Sequence, residues 1–340
     1  MTRSRPTCSV VICTRDRPAD LALCLDSVAR LRGDAHEILV IDNAPSTPAT
    51  QNLVREYQTE RRLRYVLEPR PGLDIARNRG VIEAVGEIVA YTDDDCVVDQ
   101  GWLEAPLRHF VDPEVACVTG LVAPRELETR TQELFEFNYG GMGRGLTRFT
   151  VDFSGIRVTD AGKVGTGANM FIRKSALLDI GLFNEALDCG MPTKSGGDTY
   201  AFYKLLAAGY RITYEPEAIV WHRHRRDDES LVNTVYGYGV GVASFLTACL
   251  VEDHDLAALA TGWNWIRYWH LSRLYWKSRG RLDFPLKLVL AELWGGLMGP
   301  WAYLRAKKVV SRCNLPANEP FAPSLGLALS CRNADAEVER

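Results

Sequence analysis

Three consecutive carboxylates, Asp93, Asp94 and Asp95, follow the apolar run at residues 88–91. Carboxylates repel one another and are costly to bury unpaired, so a triplet at the end of a buried strand either faces water or holds a hard cation. Alternation along an extended chain places Asp93 and Asp95 on one side and Asp94 on the other. Oxygen ligands of this kind suit Mg²⁺ or Mn²⁺. An acidic turn after a strand explains the triplet equally well when it is considered alone.

Two more polar side chains could join such a site, Asp198 and His222. Asp198 precedes an apolar helical pattern, where Asp is common simply as a helix N-cap. His222 and His224 alternate after an apolar strand, and they could be metal ligands or surface histidines. The small residues at 167–169 would let the backbone approach a ligand closely, although a tight turn into a strand is an equally good explanation.

The elements that must position these residues alternate between strands and helices. Apolar runs at 9–13, 37–41, 64–67 and 88–91 predict strands, with helical patterns and short polar turns between them. This order predicts an α/β fold with a mostly parallel sheet and helices on both faces. In such sheets ligands bind beyond the carboxyl ends of the strands, where the turn at residues 14–16, Asp42 and the Asp triplet all lie. No dinucleotide-binding or Walker-type glycine signature follows the first strand.

The chain becomes helical after residue 226. Helical patterns cover residues 229–251, 263–277 and 286–308, the last with a predicted break near 295–300, and a glycine-rich stretch at 139–145 predicts a mobile loop. The apolar and aromatic faces flanked by Lys and Arg suit helices that lie in a membrane interface, although packing onto the sheet domain explains them as well. The apolar runs at 231–251 and 284–304 are interrupted, so no transmembrane helix is predicted.

Composition sets further bounds on the function. The 340 residues carry a net charge of −3, which gives no global argument for binding nucleic acid. The nine cysteines include no Cys-x-x-Cys pair, which favours reduced thiols and a cytoplasmic protein over a disulfide framework. The apolar run at residues 10–13 is too short for a signal peptide.

The order of these motifs resembles the GT-A glycosyltransferases of the family-2 type, which use nucleotide-sugar donors. The match covers about residues 7–225 and is carried by residues 10–18, 38–43, 71–80, 93–95, 167–170, 197–198 and 222. The resemblance implies a Rossmann-like nucleotide-binding region with a mixed central sheet, helices on both faces and a C-terminal helical extension. It divides the chain into a GT-A domain at 1–225 (nucleotide-sugar half 1–120, acceptor half 121–225), a helical region at 226–312 and a tail at 313–340.

The same resemblance implies a metal-dependent inverting transfer with Asp198 as the catalytic base. Asp95 and His222 would hold the metal, Mn²⁺ or Mg²⁺, together with Asp93 in some relatives. Asp42 would accept a hydrogen bond from the base of the donor, for which a UDP-sugar is favoured and guanosine or thymidine is the alternative. The residues implied to bind the donor are Thr14, Arg15, Asp16, Asp42, Arg77, Asp93, Asp94, Gly167, Ala168 and Asn169.

One departure from the family pattern concerns position 197. Many relatives have Glu-Asp where this chain has Gly197 and Asp198, so the contacts of that Glu are absent although the base is kept. The acceptor would be a carbohydrate, a lipid-linked molecule or a small molecule, and no nucleic acid is expected as a partner. A lipid-linked acceptor would place the protein in the cytoplasm with its C-terminal helices at the inner face of the membrane.

Two other functions compete with this one. A nucleotidyltransferase that acts on a sugar phosphate also places carboxylates and a metal near a nucleotide, but it favours a glycine-rich basic loop after the first strand, and residues 14–18 contain no glycine. A non-catalytic carbohydrate- or membrane-binding homologue would need no base and metal together, so the presence of Asp95, Asp198 and His222 argues against it.

Overall fold

The first half of the chain builds the parallel part of a central sheet. The computed structural model describes residues 6–32, 35–57, 63–154, 158–280 and 284–313. Strand β1 is buried at every position, as expected for a continuous apolar run covered on both faces. The elements of this half are β1 (Cys8–Thr14), α1 (Pro18–Ala29), β2 (Glu37–Asn43), α2 (Ala49–Tyr57), β3 (Leu63–Glu68), α3 (Leu73–Glu83) and β4 (Ile88–Asp93).

The second half adds strands in both directions. Its elements are β5 (Cys96–Val98), α4 (Glu104–Leu107), β6 (Val115–Pro124), α5 (Arg130–Glu133), β7 (Phe149–Val151), β8 (Asn169–Arg173), α6 (Lys174–Asp179), α7 (Gly197–Ala207) and β9 (Arg211–His222). The sheet order in the described part is β3-β2-β1-β4-β8-β6-β9-β5, with β7 beside β9. Strand β8 runs antiparallel to both of its neighbours, β4 and β6. The predicted α/β GT-A architecture with a mixed sheet is confirmed.

The C-terminal region is helical, as predicted. It consists of α8 (Asp228–Val251), α9 (Ala257–Asn264), a π-helical stretch (Trp265–Leu271), α10 (Ser272–Ser278) and α11 (Leu286–Cys313). The prediction of a break near residues 295–300 is wrong, because α11 continues through Pro300. A Cβ on Gly299 would lie 2.7 Å from the Val240 carbonyl oxygen, and one on Gly295 would lie 2.8 Å from the Val240 nitrogen. These glycines let α11 pack closely on α8, and this packing offsets their low helix propensity.

Among the described residues, α8 is long and apolar enough to cross a membrane by length and composition, and 56% of its most apolar window is buried. Buried core helices share these properties, so the absence of a membrane-spanning helix stays a prediction. The domain boundaries also stay predictions, and residues 314–340 of the predicted tail lie outside the described ranges.

Arg144 fixes the glycine-rich loop at residues 139–145. Its guanidinium donates to the carbonyl oxygens of Met142 and Gly143 in the loop, and of Gly162 and Gly165 across from it. The loop that the sequence predicts to be mobile is therefore held by hydrogen bonds to the neighbouring segment. The cysteines at positions 8, 13, 24, 96, 117, 189 and 249 are free thiols, in agreement with the sequence.

Candidate active site

The carboxyl ends of neighbouring strands bring the candidate residues together. Strand β1 pairs in parallel with β4, and the register sets Cys13 opposite Asp93. Thr14 therefore reaches the Asp triplet, and its Oγ1 donates a 2.8 Å hydrogen bond to Asp94 Oδ2. On the other side of β1, Thr14 lies opposite Asp42 of β2. One edge of the sheet thus holds Thr14, Asp42 and the triplet, as the strand order predicts.

Asp95 and His222 meet because β5 pairs with β9. The antiparallel register sets Cys96 opposite His222, which brings His222 Nε2 to 3.5 Å from Asp95 Oδ1. On the far side of the ring, His222 Nδ1 lies 3.2 Å from His224 Nδ1. His224 is buried, and its Nε2 lies 3.0 Å from Glu136 Oε2. Such outer partners fix the tautomer and the orientation of a metal-binding imidazole.

Arg17 lies between two of the triplet's carboxylates. Its Nη1 is 3.2 Å from Asp94 Oδ1 and 3.2 Å from Asp95 Oδ2. Burial raises the pKa of Asp94 to about 6, although the Arg17 charge acts in the opposite direction. Burial and the charge of Asp95 likewise raise the pKa of Asp93. Because the protein's own cations do not fully offset this cluster of carboxylates, a further cation would be stabilised here.

Asp95 and His222 provide a carboxylate and an imidazole side by side, a combination that would suit a divalent ion. In the described ranges no three His, Cys, Asp or Glu side chains converge on one point, and Asp93 as a third ligand stays a prediction. Asp93 ends β4, where the charge of Arg77 partly offsets the effect of burial on its pKa. A carboxylate and an imidazole suit Mn²⁺, and Mg²⁺ and Mn²⁺ sites commonly take their other ligands from substrate phosphates and water. Burial lowers the pKa of His222 and so favours the neutral imidazole, which is the form that binds metals.

Asp42 is a buried carboxylate with one unused oxygen. Tyr65 donates a 2.8 Å hydrogen bond to Asp42 Oδ2, whereas Oδ1 has no hydrogen-bond partner of ordinary geometry among the described residues, although the nearby Thr50 hydroxyl lowers the pKa of this carboxyl. Burial raises the pKa of Asp42 to about 6, and the charge of Asp16 adds to this effect. Asp16 and Arg15 are exposed in the turn after β1, and Asp16 Oδ1 accepts a 2.8 Å hydrogen bond from Ser46 N. The orphaned Asp42 oxygen is the type of acceptor that a nucleobase N–H would satisfy.

Asp198 lies in the first turn of α7, whose N-cap is Gly196. Its Oδ1 accepts a 2.6 Å hydrogen bond from Thr199 N, and its Oδ2 accepts one of 2.6 Å from Gly167 N. The side chain is partly exposed, so a ligand can reach it. Burial and the charge of Asp188 raise the pKa of Asp198, while Arg77 and the two backbone donors act against them.

A buried ion-pair network of Arg77, Asp74 and Asp188 lies next to Asp198. Arg77 Nη1 donates to Asp74 Oδ1 at 2.9 Å and to Asp188 Oδ2 at 2.8 Å. A Cβ on Gly167 would lie 2.5 Å from Arg77 Nη2 and 3.2 Å from Asp198 Cβ, so the guanidinium, this glycine and the carboxylate are in close contact. Arg77 is 4% exposed and cannot leave the network without breaking both ion pairs.

The glycosyl transferase family 2 model matches residues 9–181, about half of the chain. The protein belongs to glycosyl transferase family 2. It is 30% identical over 218 residues to the pre-mycofactocin glycosyltransferase of Mycobacterium tuberculosis, an alignment that covers 64% of this chain but only 43% of that relative. It is 28% identical over 238 residues to the glycosyltransferase AglE of Haloferax volcanii, covering 68% of this chain and 71% of AglE.

Structural similarity supports the fold of this glycosyltransferase. The mannosyltransferase PcManGT from Pyrobaculum calidifontis, solved with GDP-Man and Mn²⁺, superposes with a TM-score of 0.53 at 17% identity. The superposition covers 99% of this chain and 82% of the mannosyltransferase. At this level of identity the likeness establishes the shared GT-A fold.

Two of the predicted donor-binding residues make contacts within the protein. Asn169 is fully buried, and its side-chain amide donates to the carbonyl oxygens of Leu121 and Ala218 while its Oδ1 accepts from Trp102 Nε1. Its side chain therefore holds the sheet together, and its contact with the donor stays a prediction. Arg77 forms the ion-pair network described above, and its position near the nucleotide also stays a prediction. Ala168 is also buried, and its methyl group packs in the apolar core.

Sequence reasoning missed several residues that shape the site of the glycosyltransferase. Arg17 was visible only as part of the turn before a helix, and Glu136 gave no local signal at all. His224 carried a signal in its alternation with His222, but its burial beside Phe135, with ring centroids 4.7 Å apart, depends on the fold. Asp74 and Asp188 could not be recognised as parts of the site, because both pair with Arg77 and the family resemblance implies that Arg77 binds the donor.

Proposed function

We propose that this glycosyltransferase is a metal-dependent inverting enzyme that moves a sugar from a nucleoside-diphosphate sugar to an acceptor hydroxyl. The observation that carries the proposal is the approach of His222 Nε2 to within 3.5 Å of Asp95 Oδ1, beside a cluster of buried carboxylates. Side chains so far apart in sequence, with a further histidine and Glu136 aligned behind them, are typical of a built ligand pair.

The chemistry of Asp42 limits the donor. An ionised Asp42 Oδ1 accepts a hydrogen bond, and uracil, thymine and guanine each present a ring N–H donor. Adenine and cytosine present a ring acceptor at the corresponding position. We therefore expect a uridine, thymidine or guanosine diphosphate sugar, with the UDP-sugar as the first candidate, and Thr14 and Arg15 beside the nucleoside.

Asp198 would act as the general base. As the acceptor oxygen attacks the anomeric carbon, the hydroxyl proton passes to Asp198, and the bond from that carbon to the diphosphate oxygen breaks on the opposite face. The direction of attack inverts the anomeric configuration. The raised pKa of Asp198 makes it a stronger base than an ordinary carboxylate. The hydrogen bonds from Gly167 N and Thr199 N hold both of its oxygens in place.

Asp95 and His222 would hold the divalent ion. A bound Mn²⁺ or Mg²⁺ would neutralise the charge that develops on the leaving diphosphate. Arg17, which lies 3.2 Å from both Asp94 and Asp95, would supply a second positive charge at the same place.

Donor hydrolysis tests the proposal without knowledge of the acceptor. UDP-, GDP- and dTDP-sugars would be incubated with the full chain and Mn²⁺, and the nucleotide product would be identified by anion-exchange chromatography. We expect release of the nucleoside diphosphate from one donor class and loss of this release when a chelator is added. Release of the nucleoside monophosphate together with sugar 1-phosphate, or turnover that is unaffected by the chelator, would overturn the proposal.

The role of Asp198 is tested in the same assay. Asp198→Asn keeps a hydrogen-bond acceptor for Gly167 N but removes the base, so the rate should fall by about 10²- to 10⁴-fold. Asp179→Asn is the matched control, because Asp179 is an exposed carboxylate on α6 that accepts a hydrogen bond from Tyr210 OH. NMR of the first-formed sugar should show inversion, and retention or an unchanged Asp198→Asn rate would contradict this role.

A further inference from the structure

One face of α11 is apolar and solvent-exposed along most of its length. Six large side chains on this face are 45–72% exposed: Leu286, Leu290, Trp294, Leu297, Trp301 and Leu304. Their spacing of three or four residues places them on a single stripe of the helix. The opposite stripe, which includes Val289, Ala302 and Tyr303, is buried. The helix is therefore apolar on two sides, and the described part of the chain covers only one of them.

A second exposed apolar surface lies on the neighbouring helical segment, residues 257–279. Trp263, Tyr268 and Tyr275 are 51–64% exposed there. The two segments touch, because a Cβ on Gly296 of α11 would lie 2.9 Å from the ring of Trp265. We call the exposed apolar side chains of both segments the aromatic face. An exposed apolar surface of this extent marks an interaction site in a folded protein.

The two segments of the aromatic face carry mostly positive charges. Residues 257–279 and 286–313 contain nine Lys and Arg but a single acidic residue, Glu292. Glu292 is 3% exposed and accepts hydrogen bonds from Tyr139 and Trp269, so it presents no charge to solvent. The exposed charges of these two segments are therefore all positive, although Lys287 pairs with Asp228 and Lys307 pairs with Glu252 of the neighbouring residues 228–252.

Several of these cations lie directly on the exposed rings. The guanidinium of Arg267 is 5.3 Å from the Tyr268 ring centre, that of Arg279 is 5.3 Å from Tyr275, and that of Arg305 is 5.3 Å from Trp301. Arginines on aromatic rings at the edge of an apolar surface suit the headgroup region of a bilayer, where rings lie at the boundary and cations reach phosphates.

We propose that the aromatic face docks on the surface of an anionic lipid bilayer, with α10 and α11 lying in the plane of the interface. The positive charge of the aromatic face favours an anionic bilayer over a second copy of the chain. Two copies would bring two positive faces together, whereas anionic headgroups complement the charge. The proposal extends beyond the glycosyl transfer and does not rest on it, since the aromatic face includes no residue of the active site.

Vesicle flotation tests the proposal with the full chain. The purified protein would be mixed with vesicles of phosphatidylcholine alone or with 30% phosphatidylglycerol, and floated on a density gradient. We expect binding to the anionic vesicles to be at least tenfold stronger than to the neutral ones, and to weaken as salt is raised. Equal recovery with both vesicles, or no flotation, would overturn the proposal.

Substitutions locate the binding surface. The triple variant Trp294→Gln, Leu297→Gln, Trp301→Gln should lose flotation by at least tenfold. The matched control is a triple variant of the sheet domain, Ile82→Gln, Val85→Gln and Val111→Gln. The three side chains that it replaces are also apolar and are 60–63% exposed. This control should float like the unaltered protein. If both triple variants lose flotation, or if neither does, the aromatic face is not the docking surface.

Three further measurements separate the competing explanations. Donor hydrolysis in solution by the Trp294 triple variant should stay unchanged, which distinguishes loss of docking from loss of the fold or of the transferase activity. Release of the protein from vesicles by high salt supports an interfacial position, and resistance to carbonate extraction would instead show insertion across the bilayer. A concentration-dependent dimer that the same triple variant abolishes, without vesicle binding, would assign the face to a second copy.

Discussion

The carboxylate of Asp74 fills the space that a side chain at position 197 would need. A Cβ on Gly197 would overlap Asp74 Oδ2 and would lie 2.5 Å from its Cγ atom. Asp74 is fully buried, is held by Arg77 and belongs to α3, whereas Gly197 begins α7. Gly197, which stands where many relatives have the Glu of a Glu-Asp pair, therefore leaves room for the carboxylate of Asp74. This carboxylate comes from another helix and lies next to Asp198.

This contact predicts that Gly197→Ala is destabilising and impairs turnover. The methyl group must displace Asp74, which cannot move without disturbing its ion pair with Arg77, so the free energy of unfolding should fall by about 1–3 kcal/mol. The rate of donor hydrolysis should fall as well, because the same network supports Asp198. Chemical denaturation and the hydrolysis assay measure the two effects.

Gly237→Ala is the control for this substitution. Gly237 lies inside α8, where an added Cβ would be 3.6 Å from Lys194 Cβ, an ordinary contact distance. Alanine favours a helix interior over glycine, so this variant should be as stable as the unaltered protein or more stable. If Gly197→Ala behaved like Gly237→Ala, the proposed match between Asp74 and Gly197 would be wrong.

A second prediction concerns the metal ligands. His222→Asn should weaken Mn²⁺ binding by at least about tenfold, measured by calorimetry or by the EPR signal of free Mn²⁺. His254→Asn is the matched control, since His254 is exposed on the loop after α8 and its φ of 55° is one that asparagine readily adopts. Equal Mn²⁺ affinity of the two variants would exclude His222 as a ligand.

The sequence predicted the parts of this molecule that depend on local pattern. Apolar runs identified strands β1 to β4 but not β5, β6 or β7, and the carboxyl ends of the predicted strands placed Thr14, Asp42 and the Asp triplet at one edge of the sheet. Glycine and proline misled the prediction for α11, because Gly295 and Gly299 serve a close helix contact there and do not end the helix. That distinction depends on which helix lies alongside, which a single sequence does not show.

The contacts that support the site could not be predicted from the sequence for a similar reason. The contact between Asp74 and Gly197 joins helices that are more than a hundred residues apart, and no periodicity encodes it. The role of Asn169 within the sheet was also hidden, because its amide joins β6, β8 and β9, which are distant in sequence.

Arg17 carries a third prediction, on metal affinity in the absence of donor. Because its guanidinium lies 3.2 Å from Asp95 Oδ2, it competes with a cation for that carboxylate. Arg17→Gln should therefore tighten Mn²⁺ binding to the nucleotide-free protein by about tenfold, a modest effect because the guanidinium is partly solvated. Arg108→Gln, which removes an exposed arginine paired with Glu217, is the control. Weaker Mn²⁺ binding by Arg17→Gln would show that Arg17 orients the carboxylates instead.

The last prediction is a pH dependence of donor binding through Asp42. Burial raises the pKa of this carboxyl to about 6, so it is ionised above that pH and accepts a hydrogen bond from the base. Below it, Asp42 carries a proton and no longer serves as a charged acceptor. The affinity for UDP should therefore fall by about tenfold between pH 7.5 and pH 5. Asp42→Asn should bind UDP about 10- to 100-fold more weakly at pH 7.5, because a hydrogen bond to a charged group is lost.

The Asp42→Asn variant also separates the pH dependence caused by Asp42 from that caused by other titrating groups. Protonation of the UDP phosphates affects both proteins equally, so the part of the pH dependence that the variant lacks belongs to Asp42. Asp26→Asn is the control, since Asp26 likewise accepts a 2.8 Å hydrogen bond from a tyrosine, Tyr57, but lies on α1 away from the sheet edge. An Asp42→Asn protein that keeps the full pH dependence would remove Asp42 from the nucleoside pocket.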